Sequence, residues 1–318
     1  MFNFDTDDEQ QSGSDEEIIR LLNGHHFVHR QKKKSSSSNN TTMKLVQHKK
    51  LMEFNYLPAF QPVKPYVVHF INHRTLLTKI FTLLDQAKQT LNYTLDVEGD
   101  DHTNKSSLIQ VEYINDQAEE LTVLLFEMAH RPESTTRRFL FIQKLFTMIL
   151  HPSNTIFTSD NKKRQLCDCV TYQVFSNDLI DSMHTVDIQM KFKLWYNRQF
   201  PHDRSCMGTA MGADHPCCHC QHRPYKYIDR RWGLQMAMAK TFGEFLDKQL
   251  RRSRWSLGLD QRLYSVNEKD RQLHSSSQLD REKLIHYAVC ECSSVTKLAM
   301  VINNEWTREQ LEQYKNEH

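Results

Sequence analysis

The chain predicts an α/β fold in which an antiparallel meander continues into parallel strands, giving a mixed sheet flanked by helices. Three observations carry this. Residues 93–97, 108–114 and 121–128 are extended apolar runs separated by short polar turns, as in consecutive antiparallel strands. Residues 137–150 are apolar on most sides, with Phe139, Leu140, Ile142, Leu145, Phe146, Ile149 and Leu150, which suits a helix crossing a sheet. Thr155-Ile156-Phe157-Thr158 then supplies a short strand that can return parallel to the first.

Taken in order, residues 1–43 hold acidic clusters at 5–9 and 15–17, then Lys32-Lys33-Lys34 and Ser35 to Ser38. Such a composition buries too little apolar surface to offset its ordering entropy, so it predicts a disordered tail, followed by a linker over 44–65. A short extended segment is expected at 66–70. From Leu76 the residues Leu77, Ile80, Phe81, Leu84 and Ala87 recur at helical spacing and predict a helix leading into the next strand. A structured domain is expected over 66–302, with a helical tail over 303–318. With 41 basic and 39 acidic residues the chain carries a formal charge of +2, so any attraction for nucleic acid must come from local clusters. No run approaches the apolar length that spans a bilayer, and the acidic N-terminus is unlike a signal peptide, so neither is expected. Eight cysteines, four of them crowded between 206 and 220, do not look like a spread disulfide framework and suit an intracellular protein of nucleus or cytoplasm.

Two segments carry chemistry. In Leu95-Asp96-Val97-Glu98 the two acids share one face of a strand. Adjacent carboxylates repel unless a cation sits between them, and Mg²⁺ prefers such hard oxygen ligands together with water and substrate phosphate. Near the other end, Leu284-Ile285-His286-Tyr287-Ala288-Val289-Cys290-Glu291 places a phenol and a carboxylate four positions apart on one helical face. Between them lie Trp232-Gly233-Leu234-Gln235, the run Phe242-Gly243-Glu244-Phe245-Leu246-Asp247-Lys248, and Trp255-Ser256.

Together, over residues 66–302, these motifs resemble the DEDD superfamily of 3'-5' exonucleases, in its ribonuclease D and Werner-syndrome-exonuclease branch. The resemblance implies a ribonuclease-H-like sheet and hydrolysis of terminal phosphodiesters by two Mg²⁺ or Mn²⁺ ions about 4 Å apart. It assigns the ions to Asp96, Glu98, Asp160 and Glu291, and the orientation of the attacking water to Tyr287. A related branch with histidine in this role is approximated by His286, but Trp232 to Lys248 favours the tyrosine branch. Two positions depart from the family: Asn161 stands where its second-motif aspartate is counted, with Asp160 one residue early, and Glu291 replaces an aspartate. The resemblance implies a single-stranded or 3'-ended nucleic acid as partner. Lys162, Lys163, Arg164, Arg251, Arg252, Arg254 and Trp255 are the expected contacts, by phosphate pairing and base stacking. The alternative reading is an exonuclease-like module that binds nucleic acid or protein and hydrolyses nothing.

A separate constellation, Cys206, His215, Cys217, Cys218, Cys220 and His222, forms an insertion over 200–228. Thiolates and imidazoles gathered on a polar loop are tetrahedral zinc ligands, and Cys206, Cys218, Cys220 and His222 are the expected four for a structural zinc. The alternative is a loop of idle reduced cysteines. Cys167, Cys169, Cys290 and Cys292 are expected to pack as small apolar residues.

Overall fold

The computed structural model describes residues 56–160, 162–206, 217–225, 230–264 and 271–317, with the backbone alone over 271–277. The predicted tail at 1–43, the first part of the 44–65 segment, and Asn161 fall outside the described residues.

Alternation of side chains builds a single sheet from β1 (Tyr66–Ile71), β2 (Asn92–Gly99), β3 (Ser106–Tyr113), β4 (Leu121–Glu127), β5 (Thr155–Thr158) and β6 (His184–Asp187). The strand order is β1-β4-β3-β2-β5-β6. β2, β3 and β4 are the antiparallel meander, β5 and β6 run parallel to β2, and β1 pairs parallel with β4. This is the mixed, ribonuclease-H-like arrangement expected from the sequence.

Both sheet faces are covered. Tyr93, Leu95 and Val97 point from β2 into a core closed by α1 (Leu77–Gln89) and α2 (Arg137–Ile149), which contribute Ile80, Leu83, Leu84, Ile142, Leu145 and Phe146. The opposite residues of β2, namely Thr94, Asp96 and Glu98, face the long helix α7 (Arg271–Asn303), whose Thr296 hydroxyl lies 2.8 Å from that of Thr94. Period-two alternation thus sends the aliphatic residues to one helical layer and the polar ones to the other. The part of α7 over 278–303 is long and apolar enough to cross a membrane by length and composition, contrary to the expectation that no run approaches this. Most of it is buried in the fold, where Ala288, Val289, Val295, Leu298 and Val301 pack, so its apolarity serves the core.

Between β5 and α7 come α3 (Lys163–Cys169), α4 (Asn177–Ser182), α5 (Ile188–Gln199) and α6 (Leu234–Phe242), and α8 (Arg308–Glu317) follows α7. The segment read as a linker is packed where it is described. Phe60 is buried, its amide donates to Phe245 O at 2.8 Å, and Phe245 N donates to Pro58 O at 2.7 Å. The C-terminal tail also joins the core, through buried Leu311 and the Tyr314 ring against Phe242 and Trp306.

Candidate active site and metal centre

Three of the four expected carboxylates meet beneath α7. β2 pairs with β5 only over Asn92–Thr94, so the pairing ends before Asp96, toward the carboxyl ends of the two parallel strands. In open α/β sheets that end of the strands is where ligands bind. Asp96 and Glu98 stand there, 4% and 5% exposed, and the β2–β3 register slips just after Glu98. From α7 comes Glu291, 3% exposed, with Tyr287 one turn earlier on the same helical face; Glu291 Oε1 is buried without a hydrogen-bond partner. Burial, then the charge of Asp96, then that of Glu291, hold the Glu98 carboxyl well above the usual carboxylate range. Burial likewise raises Glu291, against the lowering effect of Lys248. Tyr287 is raised by burial and by the same carboxylates.

The cations at this centre are lysines. Lys162 Nζ lies 2.5 Å from Asp96 Oδ1, and both side chains are about as buried as the acids around them. Burial alone would lower the Lys162 ammonium, but Asp96, with Glu98 and Glu291 also acting on it, keeps it above its ordinary value. Lys248 Nζ donates to Glu291 Oε2 at 3.0 Å. Lys162 opens α3, the helix end that ordinarily favours anions. Its ammonium is held there by the acids, and Leu166 N donates back to its carbonyl at 2.9 Å. Burial at 162, 166 and 169 falls on one helical face, so the lysine enters the core on the same stripe as Leu166 and Cys169. That spacing was the available signal for its inward position; counting from Leu166 to the family's aspartate led instead to Asn161.

Asp160 does not join the cluster. Its side chain is 59% exposed and is paired with Arg231 Nη1 at 3.3 Å, the same nitrogen that reaches Asp187 Oδ2 at 3.1 Å. The reason is local: the chain leaves β5 at Thr158, and the α3 stripe turns position 162 inward while 160 faces solvent.

The expected nucleic-acid contacts divide. Arg164, Arg251, Arg252 and Arg254 are exposed, and Lys163 reaches the carbonyl of Asp181 at 3.2 Å. Lys162 is committed inside. Trp255 is 1% exposed and packs against the Tyr287 ring at 5.8 Å between centroids, so it cannot stack on a base as expected. It belongs to a short turn pinned over the sheet by buried acids. Glu127 accepts from the amides of Leu259 and Asp260, and Asp100 accepts from Ser256 N at 2.8 Å.

The donor set expected for divalent ions is largely engaged by other groups, although Glu291 Oε1 is buried without a hydrogen-bond partner. Asp96 and Glu291 are each engaged by an ammonium, burial and its neighbours favour the protonated form of Glu98, and Asp160 lies outside. Among the described residues, metal-ligand atoms gather within 4.8 Å of one another at the cysteine insertion. There the structure brings His202, absent from the expected four, to Cys206, Cys218 and Cys220. His222 Nε2 instead faces the carbonyl of Pro201 at 2.9 Å, although His222 also groups with Asp203 and Cys220. Cys217 is exposed; Cys169, Cys290 and Cys292 are buried as expected, whereas Cys167 is exposed, against the expectation that it packs.

No protein-family model matches the chain, and no curated protein matches it. Among solved structures it is similar to RNase D of Trypanosoma brucei, with 12% identity and a TM-score of 0.41 over 79% of this chain and 73% of that one. It is similar to Escherichia coli RNase D at 12% identity and a TM-score of 0.39, over 79% of this chain and 48% of that one. The catalytic core of RRP6 from Trypanosoma brucei matches at 9% identity and a TM-score of 0.35, over 89% of this chain and 61% of that one. In strand order and sense the chain has the α/β, ribonuclease-H-like fold expected of the 3'-5' exonucleases that its motifs resemble.

Proposed function

We propose that this chain is a nucleic-acid-binding module on an exonuclease fold, and that it does not hydrolyse what it binds. The observation that carries the reading is the Lys162 ammonium, 2.5 Å from Asp96 Oδ1 among the acids that a divalent ion would need. A lysine brings one fixed charge and no exchangeable water, so it offsets the acids without making a nucleophile. A Mg²⁺ or Mn²⁺ ion entering beside it would face a buried like charge. Binding is supported by the exposed Arg251, Arg252 and Arg254 on the turn before Trp255 and by Arg164 on α3, which are suited to the phosphates of a single strand. The cleavage reading keeps one specific support: Tyr287 and Glu291 lie one turn apart on α7, and Glu291 Oε1 is buried without a hydrogen-bond partner.

A 5'-labelled single strand, as RNA and as DNA, incubated with the full chain in Mg²⁺, Mn²⁺ or EDTA, separates the two readings. The expected outcome is retention in all three conditions with no shortening. Retention should weaken uniformly across sequences, and its salt dependence should become shallower, when Arg251, Arg252 and Arg254 are replaced by alanine. A Mn²⁺-dependent ladder that disappears in the Asp96→Ala, Glu98→Ala double variant would overturn the proposal in favour of cleavage. Failure to retain either strand would overturn the nucleic-acid assignment itself.

A further inference from the structure

The insertion after α5 gathers three sulfurs and one ring nitrogen about a common point. His202 Nδ1 lies 3.6 Å from Cys206 Sγ, 3.3 Å from Cys218 Sγ and 3.6 Å from Cys220 Sγ. All four ligand atoms lie within 4.8 Å of one another. Hydrogen bonding does not account for this, because one imidazole nitrogen offers a single donor or acceptor direction and cannot serve three sulfurs. Disulfide pairing does not either, since all three cysteines are reduced. A tetrahedral zinc does: Zn–S of about 2.3 Å and Zn–N of about 2.0–2.1 Å set each N···S edge near 3.5 Å. The observed distances bracket that edge.

Packing points the same way. Cys206, Cys218 and Cys220 are buried as a small cluster of their own, apart from the aliphatic cores. Such a cluster has little hydrophobic reason to form by itself. Asp203 N donates to Cys220 Sγ at 3.3 Å, and a backbone amide on a sulfur is the outer-shell support that a metal-bound thiolate takes. With four protein ligands no position remains open for substrate or water, which marks a structural site.

We infer that His202, Cys206, Cys218 and Cys220 form a structural zinc site joining the end of α5 to the segment that leads into Trp232. Other contacts among the described residues hold that segment too, including Lys193 Nζ, which donates to Arg230 O at 3.0 Å. Tyr196 OH donates to His222 O at 3.0 Å, and Tyr225 meets the Trp232 ring edge-on at 5.2 Å between centroids. Trp232 in turn packs on Phe192 and Tyr196 of α5, so the metal would fix the strand of chain carrying Arg231 to the body of the domain. The site is separate from the lysine-filled acidic centre, and its test does not depend on nucleic-acid binding.

Metal analysis of the full chain purified without added chelator should give a single stoichiometric zinc. Replacement by Co²⁺ should produce the intense visible bands of a tetrahedral, thiolate-rich centre. His202→Ala should lose the metal or exchange it far faster, whereas His222→Ala should keep it. Should His202→Ala fail to fold, titration of the intact native protein with a mercurial reagent supplies the independent readout, with zinc released in step with modification of three cysteines. Absence of zinc from the unmodified chain, or loss in His222→Ala with retention in His202→Ala, would overturn the assignment.

Discussion

The acidic centre and the cysteine insertion invert each other's relation between sequence and metal. At the centre, motif order points to two divalent ions, and three of the four side chains that would hold them meet under α7, where Lys162 and Lys248 pair with two of them. In the insertion the spacing matches no common zinc module, and yet four ligand atoms are spaced as the corners of a zinc tetrahedron would be. The difference lies in what each site needs. Acids collected on a sheet require some positive charge, and lysine satisfies that as well as magnesium does. Three buried thiols round an imidazole nitrogen require a partner of high coordination number, and no side chain supplies one. Motifs therefore report where charge must be offset, and geometry reports by what.

Removing the lysine from the centre should produce the largest effect and test this contrast directly. Lys162→Ala leaves buried carboxylates without their nearest cation, and breaking a buried pair costs about 3–5 kcal/mol. Urea unfolding should register that loss in m-corrected stability at pH 8. The deficit should shrink as the pH falls, because the orphaned acids can protonate. Mn²⁺ should then stabilise Lys162→Ala, and Lys162→Asp more so, while leaving the natural chain unaffected. Equal Mn²⁺ stabilisation of all three would show that lysine and metal do not compete.

A pH titration of stability sharpens the picture of the layer beneath α7. Glu112 is wholly buried there, beside the Thr296 hydroxyl that also meets Thr94, and burial pushes its carboxyl up to about 8. The folded state therefore holds a proton that the unfolded chain releases near the ordinary glutamate value. The associated stability is complete below that value and is lost as pH rises through about 8. Glu112→Gln should flatten the decline across this window and leave the chain more stable at its alkaline end. An unchanged slope would assign the decline to Glu98 and Glu291, which are raised by the same burial.

An intermediate effect is expected at Gly258, which holds the Trp255 turn against the site. Its φ is +87°, and a Cβ there would stand 2.6 Å from Leu263 Cδ1 and 2.9 Å from His130 Nε2. His130 Nε2 is itself engaged with Ser256 O at 2.9 Å, so it cannot move without freeing the turn. Gly258→Ala should cost about 1–3 kcal/mol from backbone strain and crowding, read by thermal unfolding. It should also expose Trp255, seen as a red-shifted fluorescence, while zinc content stays the same.

Much of this architecture was legible because burial imposes periodicity. Alternation in 93–97 and 108–114 and the stripe from Leu77 to Ala87 each have one face that must leave water, and each forms the expected element. Asp96, Glu98 and Glu291 were legible because their motifs fix strand and helix register. The rest turned on properties that periodicity does not encode. Trp255 and Arg254 are neighbours in sequence, and only the buried acids Glu127 and Asp100 decide that the ring turns inward and the guanidinium outward. His202 follows Pro201 just past α5, eighteen residues before Cys220, and only the path of the chain brings them together. Lys162 looked like one of three surface charges because lysine is seldom buried. Its place in the i, i+4, i+7 stripe with Leu166 and Cys169 was the contrary sign.

The smallest effect belongs to Asp160, the carboxylate that motif order assigned to the metal. Its exposed pair with Arg231 lies in high dielectric, where such contacts contribute about 0–1 kcal/mol, and Asp187 shares the same guanidinium. Asp160→Asn should therefore leave stability, zinc content and strand retention within error of the natural chain. A fourth ligand of a working two-metal site could not be neutralised so quietly. If Asp160→Asn instead abolished a Mn²⁺ response that the natural chain possessed, the loop after β5 would have to turn inward on metal binding, and Lys162 would have to leave Asp96 to admit it. The same variant thus measures whether the two positions exchange roles or hold them permanently.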